Sequence, residues 1–181
     1  MKHVQPIRDR EKIEEIKTKL KQQSDRNYMI FILGINTGLR CGDLVRLKVK
    51  DVRNKDHIVR TEQKTNKAKR ILITPVLKRE LKQYIENRDD DEYLIKSREG
   101  KNKPLSRTMV YLIMRSVAKS VGLEEIGTHT MRKTFGYHFY QKYRNAAMLM
   151  DLFNHSSEKV TLRYIGINQD IMDKAIGNFK I

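Results

Sequence analysis

The segment from Asn27 to Asn36 constrains this chain more than any other. Tyr28, Met29, Ile30, Phe31, Ile32, Leu33 and Ile35 leave almost no polar face on a helix of that length. A helix that is apolar all round must be enclosed by other elements, so the expected fold has one central helix with amphipathic partners packed around it. The run is too short to span a bilayer, and neither a longer apolar run nor a basic-then-apolar leader is found, so the expectation is an intracellular protein with no membrane partner. The single cysteine, Cys41, excludes an internal disulfide and a Cys-built zinc site and fits a reducing cytoplasm.

Around that helix the periodicity predicts a mainly α fold with a small antiparallel β-sheet. Asp9 to about Gln23 forms an amphipathic helix with Ile13, Ile16 and Leu20 on one stripe, and Gly38 stops the central helix before a short one over Gly42 to Leu47. His57 to Glu62 and Arg70 to Thr74 are rich in β-branched residues and read as a hairpin, with Tyr93 to Ile95 as a possible third strand. Pro75 opens a helix to about Asn87, and Ser106 caps one to about Val121 that Gly122 closes. Helices are then expected over Thr130 to Tyr143, Ala146 to Phe153, Glu158 to Ile165 and Asp170 to Ile176. With 181 residues, few prolines and no linker, one domain over 1–181 is the expected organisation.

Charge narrows the function. The formal net charge is +16, and between Arg46 and Lys82 thirteen lysines and arginines face only four acids. The hairpin therefore lies in the most basic stretch, and a polyanion, double-stranded DNA before a membrane surface, is the partner such clustering suits. The acidic run Asp89 to Glu92 has no histidine near it in sequence and reads as a solvated loop. A Walker-type phosphate loop, a Gly-x-Ser-x-Gly elbow and a His-Glu-x-x-His helix are all missing, so nothing supports ATP-driven work, serine hydrolysis or zinc proteolysis.

What remains is a scattered set of cations and imidazoles with one tyrosine. Thr37-Gly38-Leu39-Arg40 places an arginine just past the central helix, and Asp43 three residues on can hold its fork still. His129 and Arg132 stand three apart at a helix start, His155 lies at a helix junction in Asn154-His155-Ser156-Ser157, and Tyr164 follows within one short helix. In this order, and with Thr161 between His155 and Tyr164, these residues resemble the catalytic domain of the tyrosine recombinases of the lambda-integrase type. The resemblance extends from the Thr37–Leu44 block to Tyr164.

It implies that Arg40 and Arg132 grip a scissile phosphate, that Asp43 orients Arg40, that His155 adds a third donor there, that Tyr164 is the nucleophile, and that His129 accepts its phenolic proton or orients it. Lys64, in Gln63-Lys64-Thr65 of the hairpin, matches the family's lysine, with Lys67 or Lys69 as alternatives; Lys67, Lys69 and Arg70 are expected to contact DNA. Three positions depart from the family pattern: Asn154 stands where Gly commonly precedes the histidine, Gly42 where Ser or Thr often precedes the acid, and no glycine flanks Lys64. The implied activity is site-specific DNA recombination through a 3′-phosphotyrosine, with no metal and no other cofactor, by a homotetramer on DNA that exchanges its C-terminal tail, 167–181. Such proteins usually carry an N-terminal core-binding domain, which is not expected here. A DNA-binding regulator of the same fold and a type IB topoisomerase-like enzyme are the competing readings.

Overall fold

The computed structural model describes residues 4–61 and 68–179. Asp9 starts α1 (Arg10–Gln23) by accepting the Glu11 N–H at 2.8 Å, and Ile13, Ile16 and Leu20 turn its apolar stripe inward. Helix α2 (Asp25–Thr37) is the enclosed one: Met29, Ile30, Phe31, Ile32 and Leu33 are all buried, with α1 on one side. Gly38 ends it in the left-handed region at φ 62°, where an added Cβ would lie 2.5 Å from the Phe135 ring. Both its backbone and its neighbour therefore require glycine there.

Arg40 is extended and its carbonyl starts α3 (Cys41–Leu44), which is shorter than the Gly42–Leu47 expected. Leu47 is taken instead by an extended contact, its carbonyl accepting from Leu94 N–H at 2.7 Å. The sheet is a two-stranded hairpin of β1 (His57–Thr61) and β2 (Ala68–Leu72), antiparallel with Ile58 opposite Ile71. The second strand starts and ends two residues earlier than the β-branched pattern indicated, because ladder hydrogen bonds do not need β-branching and Thr74 is needed elsewhere. Thr74 accepts the Leu77 N–H and caps α4 (Pro75–Ile85). Tyr93 to Ile95 is not a third strand of this sheet: Tyr93 makes only an isolated bridge to Lys48.

Ser106 caps α5 (Arg107–Lys119), whose buried Val110, Met114 and Val117 complete the main core around α2. Next come α6 (Thr130–Tyr143) and α7 (Ala146–Phe153), both as expected, then α8 (Glu158–Tyr164) and α9 (Ile167–Gly177). A second, smaller core of Leu149, Phe153, Ile165 and Ile167 lies beneath α6 to α9. Helix α6 joins the two cores, with Met131 in the first and Phe135 against the second. The segment before α1 is laced across α6, Ile7 donating its N–H to Thr134 Oγ1 at 2.9 Å and meeting His138 Nε2 through its carbonyl.

The acidic run is neutralised by cations, with Asp90 on Arg53, Asp91 on Lys50, and Glu92 on Arg88 and Lys96. Among the described residues, no helix is long and apolar enough to cross a membrane.

Candidate active site

Four chain segments that are remote in sequence meet where the two cores join. Arg132 lies one turn into α6 and is only 3% exposed, yet it carries a full charge. Its guanidinium is held by the backbone: Nη1 donates to Gly38 O at 2.7 Å, Nη2 to Phe153 O at 3.0 Å, and Cζ sits 4.1 Å above the Phe153 ring. One side chain thus ties the ends of α2 and α7 to α6. The two carbonyls are those left over where helices stop, so the helix ends supply the acceptors that make the buried cation tolerable.

Tyr164, the last residue of α8, reaches the same point. Its hydroxyl lies 3.2 Å from His129 Nδ1 and hydrogen-bonds Arg132, and its ring packs edge-on against His155 and Phe153 with centroids 5.1 and 5.8 Å away. Burial holds the phenol above its ordinary pKa, and the positive charges of Arg132 and Arg40 pull the other way without cancelling it. At neutral pH the hydroxyl therefore keeps its proton, and a nucleophile made from it must lose that proton as it attacks. The two arginines are placed to favour the anion that results.

Arg40 stands at the start of α3, just beyond the Gly38 turn, and its carbonyl accepts the N–H of the buried Asp43 at 2.9 Å. His129 occupies the position before α6, at the exposed edge of the group. His155 follows α7, with Nδ1 3.1 Å from the fully buried hydroxyl of Thr161. Of the site residues expected from sequence, Arg40, Asp43, His129, Arg132, His155 and Tyr164 are brought to this one region. Lys64 and Lys67 lie outside the described residues. Lys69 pairs with Arg60 in the hairpin ladder, and Arg70 is exposed beside it with Nη2 3.2 Å from His57 Nδ1.

Asn154 explains one departure from the family pattern. It ends α7 with φ 50° and ψ 47°, the left-handed conformation that favours glycine and that asparagine tolerates better than other residues. The backbone demand is the same with either residue, and it is what turns His155 toward Tyr164. Replacing Asn154 by Ala should lower stability by about 1 kcal/mol, while Asn154→Gly should leave it near the parent value. Chemical denaturation of the pair checks this; equal losses in both variants would mean the side chain of Asn154, not its backbone, is what matters.

Two contributors were missed by sequence reasoning. Lys133 places Nζ 5.0 Å above the Tyr164 ring, and burial, reinforced by Arg8, lowers its pKa from the ordinary lysine value. Its position four residues beyond His129 and three beyond Thr130 puts it on the face that holds the site, a signal that was present in the spacing. Phe153 supplies a platform for Arg132 and edges for His155 and Tyr164, and nothing in its sequence context distinguishes it from an ordinary core phenylalanine.

Comparison with known proteins identifies the family and the fold. Residues 8–170 match the phage integrase family. A probable integrase/recombinase of Bacillus subtilis, YoeC, is 52% identical over 167 residues, covering 92% of both chains. The tyrosine recombinase XerA of Pyrococcus horikoshii is 26% identical over 86% of this chain and 55% of its own, so the chain spans about half the length of that relative. In fold, the XerA recombinase crystal structure superposes with a TM-score of 0.76 at 18% identity, over all of this chain and 66% of that one. A lambda integrase fragment, solved as a dimer bound to a COC′ core site, gives 0.71 over 91% of this chain and 60% of its own. In sequence and in fold alike, the chain belongs to the phage integrase family of tyrosine recombinases.

Proposed function

We propose that this protein recombines double-stranded DNA at a specific site by breaking and rejoining strands through a 3′-phosphotyrosine on Tyr164. The observation that carries this reading is the convergence on one phenol of His129, His155, Arg132 and Arg40 from separate segments. Tyr164 Oη attacks the scissile phosphorus, forming the P–O bond to tyrosine as the bond to the 5′ oxygen breaks. The phenolic proton passes to His129, while Arg40, steadied by Asp43, and Arg132 stabilise charge on the nonbridging oxygens. The arginines supply the positive charge that a metal would otherwise provide, and the phosphotyrosine conserves the energy of the broken bond, so neither a metal ion nor ATP is required. A 5′-hydroxyl from a second DNA reverses the step and seals a recombinant strand. The test is exchange between two differently labelled duplexes in EDTA without ATP. Recombinant product supports the proposal; relaxation of one supercoiled duplex with no exchange indicates a topoisomerase instead, and binding without cleavage a regulator.

Lys64 is the proposed acid for the departing 5′ oxygen, with the basic hairpin, including Lys67, Lys69 and Arg70, on the DNA backbone. Lys64→Ala should slow cleavage by about a hundredfold or more, as expected for a lost general acid. A substrate with sulfur at the 5′ bridging position needs no proton and should restore that variant but not Arg40→Ala. Rescue of Lys67→Ala or Lys69→Ala in its place would move the role to that residue.

The tail supports assembly on DNA, proposed as a homotetramer. Arg8 grips Asp170 with a bidentate ion pair, its nearest approach 2.7 Å, and Ile167 is buried, so the start of α9 is fixed to its own protomer. Beyond it Ile171, Met172, Ile176 and Phe179 are exposed, the last two each by 72%. This apolar face fits a neighbouring protomer. Truncation after Asp170 keeps the anchor and should leave DNA affinity intact while strand exchange falls at least tenfold; undiminished exchange would show that the tail does not act between protomers.

A further inference from the structure

Lys133 on α6 is half-buried, and the two influences on its ammonium, burial and then the charge of Arg8, both work against the positive form. Among the described residues no carboxylate pairs with it. Asp170 of α9 is taken by the bidentate grip of Arg8, and Arg163 of α8, across a shared cavity, adds a further positive charge. Arg8 is itself fixed: its guanidinium lies 5.4 Å from the centre of the Tyr137 ring, and a Cβ on Gly166 would come within 2.8 Å of its Nη2. What compensates Lys133 is an aromatic face, with Nζ 5.0 Å from the centre of the Tyr164 ring. A neutral phenol attracts a cation there only modestly. Once the ring carries the negative charge of a phenolate, Coulomb attraction adds to that of the π face, and burial keeps it from being screened.

We propose that Lys133 is a positioning residue that keeps a positive charge on the ring face of Tyr164, so that the resting cost of a half-buried cation is offset as the phenol gives up its proton. This rests on the recombinase reading for its effect on rate, though not for the contact itself. Arg132 meets the hydroxyl directly, whereas Lys133 acts through the ring. The contribution is full at neutral pH, where the lysine is charged, and is lost as pH rises through a titration that lies below the ordinary lysine value of 10.5. A guanidinium in the same place would stay charged throughout.

The test follows single-turnover adduct formation by the full chain on a nicked suicide duplex carrying the target site, between about pH 7 and about pH 10. Lys133→Met keeps the stem and removes the charge, and should slow the reaction about tenfold at neutral pH. The parent's advantage over it should shrink as pH rises, while Lys133→Arg should keep most of the rate and an advantage that does not change with pH. A parent-to-Met ratio that is the same at every pH indicates a merely structural role and overturns the proposal. An unchanged rate in Lys133→Met overturns it too, as does a deficit that saturating protein abolishes, which would make Lys133 a DNA contact. If Lys133→Met fails to fold, Lys133→Gln takes its place.

The contact is read separately, without DNA, from the Lys133 Cε signal of the full chain labelled with 13C-lysine, assigned by its loss in Lys133→Arg. Tyr164→Leu removes the ring face and should lower the titration midpoint of Lys133 by about one pH unit, while Tyr164→Phe keeps the face and should leave it near the parent value. An unmoved midpoint in Tyr164→Leu overturns the proposal. The expected shift in a protein that forms no adduct would count against the recombinase reading and leave the contact supported.

Discussion

Tyr164→Phe is expected to abolish the covalent protein–DNA adduct entirely while leaving the fold and DNA affinity in place. The substitution removes one oxygen and keeps the ring that packs on Phe153 and His155. The lost hydrogen bonds to His129 and Arg132 should cost about 1 kcal/mol, small beside the stability of a domain of this size. A second readout follows from burial. Because the folded phenol titrates above its ordinary value of about 10, its contribution to stability is full below that pH and is lost as pH rises through the raised value. Tyr164→Phe should therefore decline less steeply than the parent in alkaline denaturation. An adduct that persists in the variant would assign the nucleophile elsewhere, with Tyr140 and Tyr143 the nearest tyrosines before it in sequence.

Arg132→Ala should be the most damaging of the arginine substitutions, and for two separable reasons. In the proposed reaction it removes a charge-stabilising donor, a loss of about a hundredfold to a thousandfold in cleavage. It also frees the carbonyls of Gly38 and Phe153 and deletes the group stacked on the Phe153 ring, so stability should fall by about 3 kcal/mol or more. At this chain length that corresponds to a drop in Tm of roughly 6–12 °C. Arg40→Ala should show a comparable loss of cleavage with a much smaller change in Tm, since Arg40 is half-exposed at a helix start. Thermal denaturation of both variants, run beside the cleavage assay, checks the division. Equal destabilisation by the two would mean that Arg132 is not the strut between the cores.

The contrast between these arginines marks where sequence reasoning stopped. That Arg40, His129, Arg132, His155 and Tyr164 belong together is legible through the resemblance of their types and order to a tyrosine recombinase site, and the chemistry of a phosphodiester fits that set. That Arg132 is also structural is not, since the carbonyls it holds belong to Gly38 and Phe153, remote in the chain and identical in kind to every other carbonyl. The helices were legible where a stripe or a cap marks them, as with Ile13, Ile16 and Leu20 in α1 and Ser106 at the start of α5. The ends of β2 and α3 were not, because each is fixed by a competing partner: Thr74 leaves the hairpin to cap α4, and Leu47 leaves the helix to pair with Leu94. Asn154 lies between these cases. Its identity departs from the family pattern, and only the left-handed backbone shows why the departure changes little.

The central claim is that this chain transfers a DNA 3′-phosphate to Tyr164. A nicked suicide duplex carrying the target site, found by selection, lets the 5′-hydroxyl fragment diffuse away and traps the intermediate. The trapped protein, prepared in EDTA, is digested with protease and nuclease and mapped by mass spectrometry. The expected result is a 3′-phosphonucleotide on the peptide containing Tyr164 and on no other peptide. Attachment to a different residue, linkage through a 5′-phosphate, or strand cleavage that appears only with added divalent metal and leaves the protein unmodified would contradict it.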